Sequence, residues 1–156
     1  MSDISTLKEK INLKTFHFLL LVTLSAGLYA YYWIYKTLTA IEDVTRIKTM
    51  SQAYLMCFLI LSGMGGALLN IDHPTFQLVG SAMIICTLVL NYNWLFRVRR
   101  ALMAYALAEH NFELRMNLVY TVLFSYYYVN YCINDLPKAK QKHQDKQRLD
   151  QDSVQA

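Results

Sequence analysis

Residues 53–96 read AYLMCFLILSGMGGALLNIDHPTFQLVGSAMIICTLVLNYNWLF. Two apolar runs, 53–71 and 76–96, contain no Asp, Glu, Lys or Arg, and only Asp72-His73-Pro74-Thr75 separates them. A helix needs about 20 mostly apolar residues to cross a hydrocarbon core about 30 Å thick, and each run has that length. The short connection makes them an antiparallel helical hairpin. Asp72 reads as the N-cap of the second helix, with Pro74 in its first turn. Soluble helices keep one polar face. These runs have no charged face, which argues against a soluble bundle. Gly65, Gly66 and Ala67 lie about as far before the turn as Gly80, Ser81 and Ala82 lie after it, and Ser62, Gly63, Gly66, Gly80 and Ser81 are the candidate packing residues. Close helix packing in lipid relies on such small residues.

Two further charge-free stretches, 16–35 and 116–134, flank the hairpin, and all 15 Lys and Arg residues lie outside the four. If all four crossed, the basic residues would divide eight against seven between the two sides. The positive-inside rule would then set no orientation. If only the hairpin crosses, and the flanks dip in and return, all 15 share one side with both termini. That asymmetry is the one expected of a cytoplasmic face. Residues 16–25 as helix rise about 15 Å, half the core, and Ala26-Gly27 can then turn the chain. Residues 116–134 have no Gly or Pro to break them, so four crossings stay open as the alternative. The expected fold is an all-α membrane protein: a central spanning hairpin between two aromatic-rich apolar segments, re-entrant or forming two further spans.

The chain divides into a polar arm (1–15), a membrane domain (16–136) and a polar tail (137–156) expected to be disordered. Thr6 and Glu9 have capping-box spacing. Ile34, Leu38, Ile41, Val44 and Ile47 recur at helical spacing, which predicts an amphipathic interfacial helix over 36–52. Lys8, Lys10 and Lys14 ahead of an apolar run also have the form of a signal peptide. The Tyr/Trp run that follows, and three more apolar stretches, favour an uncleaved membrane segment.

Gly27-Leu28-Tyr29-Ala30-Tyr31-Tyr32-Trp33-Ile34-Tyr35-Lys36 resembles the signature of a family of small bacterial membrane proteins, the domain of unknown function numbered four-two-three-four. Tyr128-Val129-Asn130-Tyr131-Cys132-Ile133-Asn134 is similar to that family's closing segment, and with Arg97–Arg100 the resemblance covers residues 14–136. It implies a bacterial inner-membrane protein with no known activity and no catalytic residues. Its signature positions here are Gly27, Tyr29, Tyr32, Trp33, Tyr35, Tyr128, Asn130, Tyr131 and Asn134. Tyr29, Tyr32 and Ile34 share their spacing with Tyr128, Tyr131 and Ile133.

Cys57, Cys86 and Cys132 fall inside apolar stretches without CxxC spacing, so they read as small buried residues, and no metal or cofactor is expected. His17 reads as interfacial, His73 as part of the turn, and Glu109-His110 as a solvated loop. Asn91, Asn93, Asn117, Asn130 and Asn134 read as hydrogen-bonding across helices. Ion-coupled carriers place charged residues at membrane depth; their absence from the apolar stretches disfavours a monomeric carrier. Arg97, Arg99 and Arg100, with Lys36 and Arg115 nearby, are candidates to hold anionic lipid headgroups. The net charge of +4 favours such a surface. Basic residues scattered over separate loops do not suit nucleic acid.

The expected function is a non-enzymatic module in the bacterial inner membrane, both termini cytoplasmic. It would organise anionic lipid or dock a partner membrane protein. The alternatives are an oligomeric transport or pore subunit, and a membrane enzyme acting on lipid.

Overall fold

The computed structural model describes residues 4–11 and 13–155, with side-chain surroundings for 6–11 and 13–149. Residues 1–3 and Asn12 of the arm and Ala156 of the tail lie outside the described residues. All secondary structure among the described residues is helical: α1 (Ile4–Ile11), α2 (Thr15–Leu24), α3 (Leu28–Thr45), α4 (Gln52–Leu69), α5 (Pro74–His110) and α6 (Leu118–Gln155).

Among the described residues, α4 and α5 are the two helices long and apolar enough to cross a membrane. They pair antiparallel. The Tyr54 hydroxyl donates to the Leu90 carbonyl at 2.7 Å, and deeper in the hairpin Gly80 lies against the Gly65 carbonyl. Ser51 caps α4 by accepting from the Tyr54 N–H at 3.2 Å. His73, not Asp72, caps α5: its Nδ1 accepts from the Thr75 N–H at 3.3 Å, with Pro74 at the first helical position. An unprotonated imidazole nitrogen can accept from the orphan N–H in place of a carboxylate oxygen. Beyond Phe58 on α4, and before Thr87 on α5, the only buried hairpin residues are Gly65 and Gly80. Past Ser62 on α4 and before Ile84 on α5 the hairpin therefore projects from the rest of the fold, its apolar side chains facing outward.

The core lies at the opposite end. It combines Leu7 and Ile11 of α1, Phe18 of α2, one face of α3, Trp94 to Ala106 of α5, and Val129 to Leu136 of α6. α5, 37 residues long, rises about 55 Å, enough to serve as hairpin arm and core helix in turn. Thr6 sits inside α1 rather than capping it. The Lys36 ammonium donates to the Ile11 carbonyl at 3.1 Å, closing the end of α1, and Lys10 pairs with Asp43 at 3.0 Å. No separate interfacial helix spans 36–52. The buried stripe Trp33, Ile34, Thr37, Leu38, Ile41, Val44 runs unbroken along α3, so packing carries one helix across the expected boundary. Residues 46–51 are loop, and Ile47 is exposed.

Both flanks reverse direction. α2 is ten residues long, about 15 Å. It ends with the Ala26 N–H on the Thr23 carbonyl at 3.2 Å and the Gly27 N–H on the Val22 carbonyl at 2.8 Å, the paired bonds of a Schellman ending. Ala26 (φ 50°) and Gly27 (φ 90°) are both left-handed. In α6 the reversal comes at Ser125 (φ 42°, ψ −114°), the backbone of the first central residue of a type II′ turn, where Gly is usual. The Asn117 N–H then donates to the Tyr128 hydroxyl at 2.9 Å. In a straight helix those residues would be about 16 Å apart.

Three substitutions separate these turns. Gly27→Ala should destabilise by about 1–2 kcal/mol, the left-handed penalty for a side chain. Ala26→Gly and Ser125→Gly should each stabilise by about 1 kcal/mol. Thermal unfolding in detergent reads the signs; equal, small shifts for all three would remove the turns.

α6 continues to Gln155. Leu136 is buried and Ala139 packs on the core. Lys140 donates to His110 Nδ1 at 3.3 Å, and the His143 ring meets Phe112 at 6.2 Å. These contacts hold the helix past Pro137 where composition alone offers little.

Candidate functional site: an aromatic and asparagine junction

Buried amides need partners, and Asn130 finds three, on two distant parts of the chain. Its Oδ1 accepts from Trp33 Nε1 at 3.3 Å. Its Nδ2 donates to the Leu13 carbonyl at 3.1 Å and to Thr15 Oγ1 at 3.3 Å. Asn134, one turn on, donates to the same Leu13 carbonyl at 2.9 Å. α3, α6 and the start of α2 are thus tied at one point. Around it Phe18 packs on Trp33 (4.8 Å), Tyr127 (5.1 Å) and Tyr29 (6.3 Å). Tyr126 packs between Trp33 (6.0 Å) and Trp94 (6.1 Å). Aromatic pairs at these separations add about 0.5–1.5 kcal/mol each beyond area burial.

Two hydroxyls bond this junction to the hairpin: Tyr126 to Asn91 Oδ1, and Tyr31 to Ser62 Oγ. Ser62 lies ten residues past Gln52, the first residue of α4; this is about 15 Å along it. The first reversal therefore reaches about half the hairpin's depth. A cavity of about 380 Å³ lies there, with Gly27, Tyr31, Ser62, Asn91 and Tyr126 in its wall.

The two aromatic segments match position by position. Ile34 and Ile133 are buried, whereas Tyr32 (56%) and Tyr131 (55%) are exposed. Tyr29 and Tyr128 are half-buried. Ala26 and Ser125, three residues before those tyrosines, are the two left-handed non-glycine residues of the reversals. Of the signature residues, Gly27 makes the turn and Trp33, Asn130 and Asn134 form the junction, while Tyr35 is exposed with Tyr32 and Tyr131.

The small residues sort differently from their spacing. Gly65 and Gly80 hold the close approach; nothing lies within 4 Å of a Cβ built on Gly63 or Gly66. Ser81 is exposed and donates to the Gln77 carbonyl at 2.7 Å. The cations sort too. Arg99 donates to the Met116 carbonyl from Nε (3.0 Å) and Nη2 (2.8 Å), and Lys36 bonds the Ile11 carbonyl. Both hold backbone. Arg97 and Arg100 are exposed, and Arg115 pairs with Glu113 at 3.3 Å. His110 meets the Tyr105 hydroxyl at 3.1 Å.

Sequence reasoning missed Phe18, Leu13 and Tyr126 at the junction. Tyr126 was visible only as one more tyrosine, and a backbone carbonyl carries no sequence signal. Cys57 and Cys86 are exposed on the hairpin, not buried; Cys132 is buried, and burial pushes its thiol up to about 11. The thiolate is the reactive form, so native Cys132 should react with maleimide at pH 7.5 about 100-fold more slowly than a free thiol. Quenched labelling and mass spectrometry check this; rapid native alkylation would contradict it.

Comparison of the chain with protein-family models, curated proteins and solved structures gave no match.

Proposed function

We propose that this chain is an integral membrane protein that organises lipid by loading one leaflet more heavily than the other. The observation that carries the reading is the depth mismatch between hairpin and flanks. α4 and α5 have the length to cross, whereas α2 and residues 118–124 are too short and turn back. The exposed tip side chains Leu24, Leu28, Leu123 and Phe124 are apolar, as insertion into acyl chains requires. Gly27 shares a cavity wall with Ser62 of α4 and Asn91 of α5, and Tyr126, next to Ser125, bonds Asn91, so each reversal has protein on one side, where irregular backbone is tolerated at membrane depth. On this reading both termini and both long loops share the cytoplasmic side with all 15 basic residues, consistent with the positive-inside rule. The resemblance to a bacterial membrane family accords with it.

The cytoplasmic leaflet then accommodates the two flanking reversals as well as the hairpin, and the other leaflet only the hairpin. Such a wedge favours membrane convex on the cytoplasmic side. Fluorescent protein in giant vesicles, oriented with its termini outward, should enrich in narrow tubes pulled from them. Equal density in tube and vesicle would contradict the proposal.

Homo-oligomerisation is the second reading, favoured by the open space beside Gly63 and Gly66 on the outward face of α4. If it holds, Gly63→Leu with Gly66→Leu should convert oligomer to monomer in size-exclusion chromatography with light scattering; a wild-type monomer would exclude it.

A further inference from the structure

We infer that the α3–α4 loop and one face of α5 form a binding site for a phosphate group, supplied by the headgroup of an anionic phospholipid. The inference rests on the membrane reading above. A cavity of about 320 Å³ is lined by Lys48 and Thr49 of the loop and by Arg97, Arg100, Ala101 and Ala104 of α5. Arg97 and Arg100 are three apart and so share one helix face, while Arg99 turns away to the Met116 carbonyl. The other α5 residues of the lining, Ala101 and Ala104, are small. Three cations therefore border one space whose lining has no acidic residue. None of the three makes a side-chain ion pair or hydrogen bond to a described residue.

Like charges this close destabilise one another, and the arrangement gains most from an anion between them. Thr49, 3% exposed, walls the loop side of the cavity. Guanidinium groups match phosphate geometry, and a neighbouring ammonium adds a point charge.

Position selects the source. Arg97 is the first charged residue after the apolar run of α5, and Lys48 lies just before α4 begins at Gln52. The hairpin register runs from Gly65 against Gly80, through Tyr54 against Leu90, to Lys48 and Thr49 beside Arg97 and Arg100. Both arms thus bring their cations to the level where a spanning hairpin leaves the acyl region, which is where phospholipid phosphates lie.

Native mass spectrometry of the full chain in nonionic detergent tests this, with phosphatidylglycerol, phosphatidylcholine and water-soluble glycerol phosphate as probes. One phosphatidylglycerol should bind at least tenfold more tightly than phosphatidylcholine. Arg97→Gln with Arg100→Gln should weaken it at least tenfold, and Lys48→Gln about threefold. Lys142→Gln with Lys146→Gln removes the same charge from α6 and should change it less than twofold. Equal weakening by both double variants, or equal binding of the two lipids, overturns the site. Glycerol phosphate binding as tightly as phosphatidylglycerol overturns the lipid source. Alkaline washing of membranes separates this from the function proposed above. Wild-type chain released by the wash defeats the membrane reading; retained chain without lipid selectivity defeats only the site.

Discussion

Asn130→Leu is expected to destabilise the fold by about 3 kcal/mol, the largest effect of any single polar substitution here. The side chain is fully buried and its amide is bonded on both ends. Leucine would fill the space yet leave Trp33 Nε1 without its acceptor and Thr15 Oγ1 without its donor. Each buried polar group left unmade costs about 1–3 kcal/mol. Asn134→Leu should cost about 1 kcal/mol, because the Leu13 carbonyl still accepts from Asn130. Thermal unfolding in detergent, followed by tryptophan fluorescence, measures both. If Asn130→Leu melted with the wild type, the junction would not be what joins the two aromatic segments to α2.

Gly80→Ala should weaken the hairpin by about 2–3 kcal/mol. A Cβ at Gly80 would sit 3.0 Å from the Gly65 carbonyl oxygen and 3.1 Å from the Leu69 nitrogen. Both neighbours are backbone, which cannot move without separating the helices. At Gly65 the near atoms are Ile84 Cδ1 at 3.1 Å, Ile84 Cγ1 at 3.2 Å and Met83 Cβ at 3.2 Å. The flexible Ile84 tip can yield there, so Gly65→Ala should cost less, about 1 kcal/mol. Gly63→Ala and Gly66→Ala meet nothing within 4 Å and should be neutral or stabilising by up to about 1 kcal/mol from helix propensity. Unfolding free energies in mixed micelles rank the four. Gly66→Ala costing as much as Gly80→Ala would place the interface on the wrong face.

The hairpin was legible because charge exclusion over about 20 residues has one common physical cause. The first reversal was legible too, since Gly27 is the residue that tolerates a left-handed turn. Ser125 was not: a serine in a glycine conformation carries no local signal, and only its register with Ala26 before the matching tyrosines hints at it. Spacing could not choose Gly65 over Gly66, because adjacent helical residues differ by about 100° and the partner decides which faces inward. Composition gives little reason for helix past Pro137, because the contacts there are tertiary: Leu136, Lys140 and His143 meet residues before 113. Trp33 and Asn130 illustrate the same limit, since a bond across 97 positions leaves no mark in local periodicity. Arg99 and Lys36 looked equivalent to Arg97 and Arg100 in sequence. Only the fold assigns the first two to carbonyls.

The central claim is that the hairpin crosses while both flanks return to the side from which they entered. Single cysteines at Thr75, Ile47 and Gln151, each in a chain lacking Cys57, Cys86 and Cys132, test it most directly with a membrane-impermeant maleimide on sealed vesicles. The account predicts that Ile47→Cys and Gln151→Cys label from one side and Thr75→Cys only from the other. Labelling of Thr75→Cys and Gln151→Cys from the same side, with Ile47→Cys opposite, would mean four crossings and contradict it.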